Sequence, residues 1–112
     1  MLSAGLRLDR AETALVVARG RTLGSRALGL RLLATDDKPS RFAIVVPGKQ
    51  VPLATRRQLL KRRVRAIIRP LTPRLRSGQN IAIFCGRETA GWSFARLEQE
   101  LIGLLTQAKL LS

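Results

Sequence analysis

Thr55-Arg56-Arg57-Gln58-Leu59-Leu60-Lys61-Arg62-Arg63-Val64-Arg65-Ala66-Ile67-Ile68-Arg69-Pro70-Leu71 reads as one amphipathic helix with a strongly cationic side. Thr55 and Gln58 have the spacing of a capping box, in which hydroxyl and amide satisfy orphan backbone N–H groups of the first turn. Pro70 marks the expected stop. At ~100° per residue, Leu53, Leu60, Val64, Ile67 and Leu71 share one face. Arg57, Lys61, Arg65 and Arg69 share another, flanked by Gln58 and Arg62. Arg56 and Arg63 fall toward the apolar side, where they serve the helix boundary. Like charges four residues apart each destabilise a helix by roughly 0.2–0.5 kcal/mol. A row of them calls for a use, and a polyanion partner is the simplest one.

The rest of the chain supports that use. With 112 residues, one domain is expected, large enough for a core without staples. The formal net charge is +14, from 21 Lys+Arg against 7 Asp+Glu. No acidic residue lies between Asp37 and Glu88. That asymmetry points to nucleic acid or to an anionic membrane surface. The membrane is the poorer choice. No apolar run approaches the ~20 residues needed to span, and the single greasy face of the basic helix is needed for a core. The single Cys85 has no disulfide partner in the chain and fits a reducing, cytoplasmic setting. Within Ile81-Ala82-Ile83-Phe84-Cys85 it reads as a small buried apolar residue. There is no His, which excludes Cys–His catalysis and His metal sites. Residues 1–6 carry no secretory h-region.

Around the basic helix, Asp9 and Glu12 form another capping box that opens a helix to about Ala18, with Gly20 as its stop. Gly24 to Arg26 is a loop or short strand. Ala27 to Ala34 reads as a strand, residues 36–40 as a turn, and Arg41 to Val46 as a second strand beside the first. Residues 47–52 form a loop into the basic helix. Asn80 to Cys85 is a buried strand. Ser93 caps a last helix to about Leu110, whose core stripe is Phe94, Leu97, Leu101, Leu104, Leu105 and Ala108. Trp92 and Leu97 form its hydrophobic staple. The order α-β-β-α-β-α implies an α+β domain.

Arg57-Gln58-Leu59-Leu60-Lys61-Arg62-Arg63-Val64-Arg65, with Ala54 before it, resembles the signature helix of the bacterial ribonuclease P protein component. Arg7-Leu8 and Arg19-Gly20-Arg21 match that family's opening. Arg41-Phe42-Ala43-Ile44-Val45-Val46 and Lys49 match its strand and Lys-containing loop. Gly78-Gln79-Asn80-Ile81-Ala82-Ile83 matches its next strand, and Leu97, Leu101, Leu104 and Leu105 its last helix. The family pattern has Asn and Arg where this chain has Gln58 and Leu59. It also has first-helix aromatics that align near Thr13 and Val17.

The resemblance implies a small four-stranded sheet packed with three helices (α-β-β-β-α-β-α), with a left-handed β-α-β crossover carrying the basic helix. It implies partnership with the ribonuclease P catalytic RNA, whose Mg2+-dependent reaction removes the 5′ leader of precursor tRNA. No cofactor bound by the protein itself and no obligatory protein partner are expected. The RNA-binding candidates are Lys49, Arg56, Arg57, Gln58, Lys61, Arg62, Arg65 and Arg69. The leader-cleft candidates are Thr13, Val17, Arg41 and Phe42, with Arg41 on phosphate and Phe42 as the main π surface if it faces the cleft, and as a core side chain if it does not. Phe84, Phe94 and Trp92 are expected in the core or staple. The alternative function is a small basic ribosomal or RNA-chaperone protein. An autonomous nuclease would need a general base or clustered carboxylates, and the acids here are scattered.

Overall fold

The computed structural model describes residues 7–36 and 39–111. The reading of residues 1–6, and the middle of the turn at Asp37 and Lys38, lies outside the described residues. The elements are α1 (Arg10–Arg19), β1 (Arg21–Gly24), β2 (Leu28–Ala34), β3 (Arg41–Val45), α2 (Ala54–Leu71), β4 (Gln79–Cys85) and α3 (Phe94–Gln107). This is an α+β architecture with a four-stranded sheet and three helices among the described residues.

The sheet order is β1-β2-β4-β3. β4 is antiparallel to β2 and parallel to β3. β2 and β3 are therefore not the adjacent pair expected from their sequence proximity. β4 lies between them because Ile81, Ala82 and Ile83 are all fully buried, and a strand apolar on both faces belongs at the centre. The β2–β3 connection is tied to the entry of β4. The Thr35 N–H donates to Gly78 O (2.8 Å), and the Ser40 hydroxyl donates to Arg76 O (2.6 Å) while accepting from Gln79 N–H (3.2 Å). β1 is short and largely exposed, so it left little apolar pattern to read.

The strand register sorts side chains by face. Phe42 lies opposite Ile81, which lies opposite Leu32; Ala43 lies opposite Ala82, which lies opposite Arg31. The first set joins Leu28, Leu30, Ile83 and Cys85 in one core with Leu60, Val64, Ile67 and Ile68 of α2 and Leu97, Leu101 and Leu105 of α3. Each such large side chain contributes roughly 1.5–3 kcal/mol by leaving water. The opposite face carries Gly29, Arg31, Arg41, Ala43, Val45, Asn80, Ala82 and Phe84, and α1 lies over part of it.

Each helix shows how local chemistry set its ends. At α1 both capping-box bonds form: Asp9 Oδ1 accepts from Glu12 N–H (2.7 Å) and Glu12 Oε1 from Asp9 N–H (3.1 Å). Gly20 ends the helix in extended backbone, φ −71°. A glycine is needed there for closeness, since a Cβ would sit 2.4 Å from Val16 O. α2 begins earlier than expected. Its N-cap is Leu53, and Thr55 makes no capping bond. Leu53 is consequently 59% exposed and off the core face. Pro70 lies inside the last turn, and the helix ends one residue later before a 3-10 turn, Thr72–Arg74. So near the end, its missing N–H removes little. Ser93 caps α3 by accepting from Arg96 N–H (3.1 Å). That helix stops at Gln107, and the turn to Leu110 closes through Leu110 N–H to Leu105 O (2.9 Å), with Lys109 at φ 62°. Trp92 packs against the core. Phe94 does not, being 40% exposed.

Candidate nucleic-acid interface

α2 carries Arg56, Arg57, Lys61, Arg62, Arg63, Arg65 and Arg69 and no acidic residue. These cations divide by what they touch. Arg57 turns back to its own N-terminal loop, donating to Val51 O (2.9 Å) and Pro52 O (2.7 Å). It thereby fixes the turn in which Gln50 and Val51 N–H both donate to Pro47 O (3.0 Å each), the turn that presents exposed Lys49. Arg63 donates to Trp92 O (3.3 Å) and ties α2 to the start of α3, the boundary role expected of it. Lys61, Arg62, Arg65 and Arg69 have no protein partner among the described residues. Lys61, Arg65 and Arg69 repeat at ~6 Å of rise, with Arg62 beside them. Gln58, Arg56, Arg62 and Arg69 are exposed; Lys61 and Arg65 are partly buried.

The partial burial of Lys61 and Arg65 has a cause. They reach round the β3 edge into a groove of about 680 Å3, lined also by Arg7, Arg10 and Thr13 from the α1 side and by Arg41, Ala43 and Val45 of β3. Cationic α2 and the open sheet face are thus one continuous surface. The chain before α1 closes one wall, with Leu8 N–H donating to Phe42 O (2.8 Å).

The cleft candidates fare differently from one another. Thr13 lines the groove, and its hydroxyl donates to Asp9 O (2.7 Å). Val17 is half-buried, and its carbonyl accepts from Arg31. Arg41 pairs with Glu12 and donates to Arg7 O (2.6 Å), so its charge is largely spent on holding α1 against β3. Phe42 is only 2% exposed and points into the α2–α3 core. Its expected role as the main π surface is therefore corrected: the residue takes the core alternative. Alternation along Arg41-Phe42-Ala43-Ile44-Val45 is apolar in both phases, and the register alone decides which phase faces the core.

The aromatic on the open face is Phe84, expected in the core. It is half-buried, and the Arg31 guanidinium lies 5.3 Å from its ring centroid. Its neighbours Ile83 and Cys85 point the other way and are fully buried. Burial pushes the Cys85 thiol up to about 12, so it is an inert packing group, as its sequence context implied. Among the described residues no three His, Cys, Asp or Glu side chains come together in a metal-binding group.

Fold and surface together define a small α+β protein with a cationic helix, four of whose charges have no partner among the described residues, beside an open groove. Comparison with known proteins makes this specific. The family model Ribonuclease P matches residues 6–109. The ribonuclease P protein component of Clavibacter michiganensis is 32% identical over 101 residues, covering 88% of this chain and 87% of that protein. That of a Pseudanabaena species is 33% identical over 103 residues, covering 91% and 89%. The solved RNase P protein of Thermotoga maritima superposes with a TM-score of 0.80 at 27% identity, covering 90% of this chain and 96% of that one. The Staphylococcus aureus protein reaches a TM-score of 0.85 over 98% and 100% of the two chains; at 16% identity it speaks for the fold alone. The chain belongs to the ribonuclease P protein family. Its work is that of a subunit in a tRNA-processing ribonucleoprotein endoribonuclease, with RNA as its partner. None of these likenesses supports the alternative of a ribosomal or chaperone protein. No helix among the described residues is long and apolar enough to cross a membrane.

Proposed function

We propose that this chain grips the catalytic RNA of ribonuclease P with α2 and the Lys49 loop, and holds the 5′ leader of precursor tRNA in the groove between α1 and β3. The observation that carries this reading is the set of four cations without protein partners among the described residues, Lys61, Arg62, Arg65 and Arg69, of which Lys61 and Arg65 line that groove. Arginine forks and a lysine point charge suit phosphate, and each phosphate neutralised releases counterions. Arg56 and Gln58 are exposed at the same helix end and extend the surface. Arg57 acts one step removed, by shaping the loop that offers Lys49.

The chemistry belongs to the RNA partner, with Mg2+ serving that reaction and not this chain. Asp9 and Glu12, the acids nearest the groove, are committed to capping α1, and Glu12 also to Arg41. Among the described residues, Asp9 is the acid lining the groove, and its carboxylate caps α1 and is not placed as a general base. The protein lowers the electrostatic cost of bringing two RNAs together and adds affinity for the leader. It works in the cytoplasm without an obligatory protein partner. The test is reconstitution with the cognate catalytic RNA at low Mg2+. Precursor cleavage should rise strongly when the protein is added, and the protein alone should cleave nothing. Cleavage by the purified protein without RNA, or no stimulation at any Mg2+ concentration, would refute the reading.

A further inference from the structure

Past the end of α2 the chain assembles a separate group of cations. The 3-10 turn Thr72–Arg74 leads off α2 toward β4 and passes beside the end of α3. Arg76 N–H donates to Leu110 O (2.9 Å) and joins the two segments. The Ser40 hydroxyl donates to Arg76 O (2.6 Å) and ties the same residue to the start of β3. A cavity of about 420 Å3 lies at this junction. Leu75, Leu110 and Leu111 are its apolar lining, and Arg74, Arg76 and Lys109 line it with their charges exposed. Among the described residues no acid lines it, and none of the three cationic side chains has a protein partner. It shares no lining residue with the groove between α1 and β3.

Lys109 is the informative member. α3 ends in a complete Schellman turn, with Leu110 N–H donating to Leu105 O (2.9 Å) and Lys109 N–H to Thr106 O (3.0 Å). That turn needs a left-handed residue, and Lys109 supplies it at φ 62°. Glycine is the usual occupant, because a Cβ is disfavoured there. Lysine at this place gives up backbone stability. The dipole of α3 offers its charge some compensation. The two arginines beside it act the other way, since like charges around one cavity repel. An anion between them relieves that repulsion. Guanidinium forks grip phosphate oxygens in pairs, and an ammonium adds a point charge.

We infer that Arg74, Arg76 and Lys109 hold a backbone phosphate of the catalytic RNA, at a contact separate from the row Lys61, Arg65 and Arg69. The inference rests on the RNA-binding reading above and extends it beyond α2. The catalytic RNA is favoured over the precursor leader for two reasons. The cavity lies just past Arg69 along the chain, and no residue of the leader groove borders it.

The test measures affinity for the catalytic RNA against salt for the natural protein, for Arg74→Gln with Arg76→Gln, and for Lys109→Gly. Loss of the arginine pair should weaken binding and flatten the slope of log K against log salt by about one unit, the increment for one phosphate contact. Lys109→Gly should also weaken binding, yet raise the melting temperature, because glycine takes the left-handed turn freely. Weaker binding by a more stable protein is the signature of a residue that serves the RNA and not the fold. Lys109→Gly decides the matter if the arginine variant melts early. The precursor-over-mature tRNA affinity ratio of the assembled holoenzyme should not change in either variant. Unchanged affinity and slope in the folded variants would overturn the site. A fall in the precursor-over-mature ratio at unchanged affinity for the catalytic RNA would assign the cavity to the substrate and overturn the inference as well. A natural protein that does not bind the catalytic RNA would overturn the reading on which it rests.

Discussion

The two faces of this sheet are made from the same strands and do opposite work. On one, Leu30, Phe42, Ile81 and Ile83 vanish beneath α2 and α3. On the other, Arg31, Arg41 and Phe84 stay partly open, and α1 covers the middle only. Core and interface are thus separated by one residue of pleat. A substitution at Phe42 acts on the core, and one at Phe84, on the adjacent strand and the opposite face, acts on the open side of the sheet. The sharpest way to break this contrast is to truncate both rings. Phe42→Ala should lower stability by about 3–5 kcal/mol, as for a buried aromatic. Phe84→Ala, half-buried beneath a guanidinium, should cost only about 1 kcal/mol. Equal losses in chemical denaturation would show that both faces are core.

Cys85 belongs to the buried face and supplies a pH signature. Burial lifts its folded pKa to about 12, above the ordinary thiol value of 9.0. A raised pKa means the folded state binds its proton more tightly. The contribution is therefore complete below pH 9.0 and is lost as pH rises from there toward 12. Thermal melts across that range should fall more steeply for the natural protein than for Cys85→Val. Parallel curves would place the thiol in water.

The helices differ in the same instructive way. α1 is capped by its own side chains, whereas α2 begins at Leu53 with no side-chain cap. Asp9→Ala should cost ~1 kcal/mol, the usual value of an N-cap. Thr55→Ala should stay within about 0.5 kcal/mol, as for a surface site with no special contact. A larger loss at Thr55 would restore the capping box read from the sequence.

What was legible in the chain follows from range. Asp9/Glu12, Ser93 and the Leu97-Leu101-Leu105 stripe act within a helical turn or two, and their patterns announced them. The cationic row was legible for the same reason, because i, i+4 spacing needs no tertiary knowledge. The placement of β4 between β2 and β3 was not, since it depends on pairing between distant segments. Nor was the facing of Phe42 and Phe84, which a one-residue change of register would exchange. Arg57 was read with the phosphate row because spacing alone does not reveal the Val51 and Pro52 carbonyls that claim it. The family resemblance supplied the fourth strand, which the exposed residues of β1 concealed.

On the proposed function, the cations of α2 that have no partner among the described residues bind RNA and do nothing for the fold. Salt dependence of binding to the catalytic RNA tests it most directly. Replacing Lys61, Arg62 and Arg65 by Ala should leave the melting temperature near that of the natural protein. It should weaken binding and flatten the slope of log K against log salt by about 2–3 units, one increment for each lost phosphate contact. An unchanged slope with a folded variant would place the RNA on another surface and contradict the account.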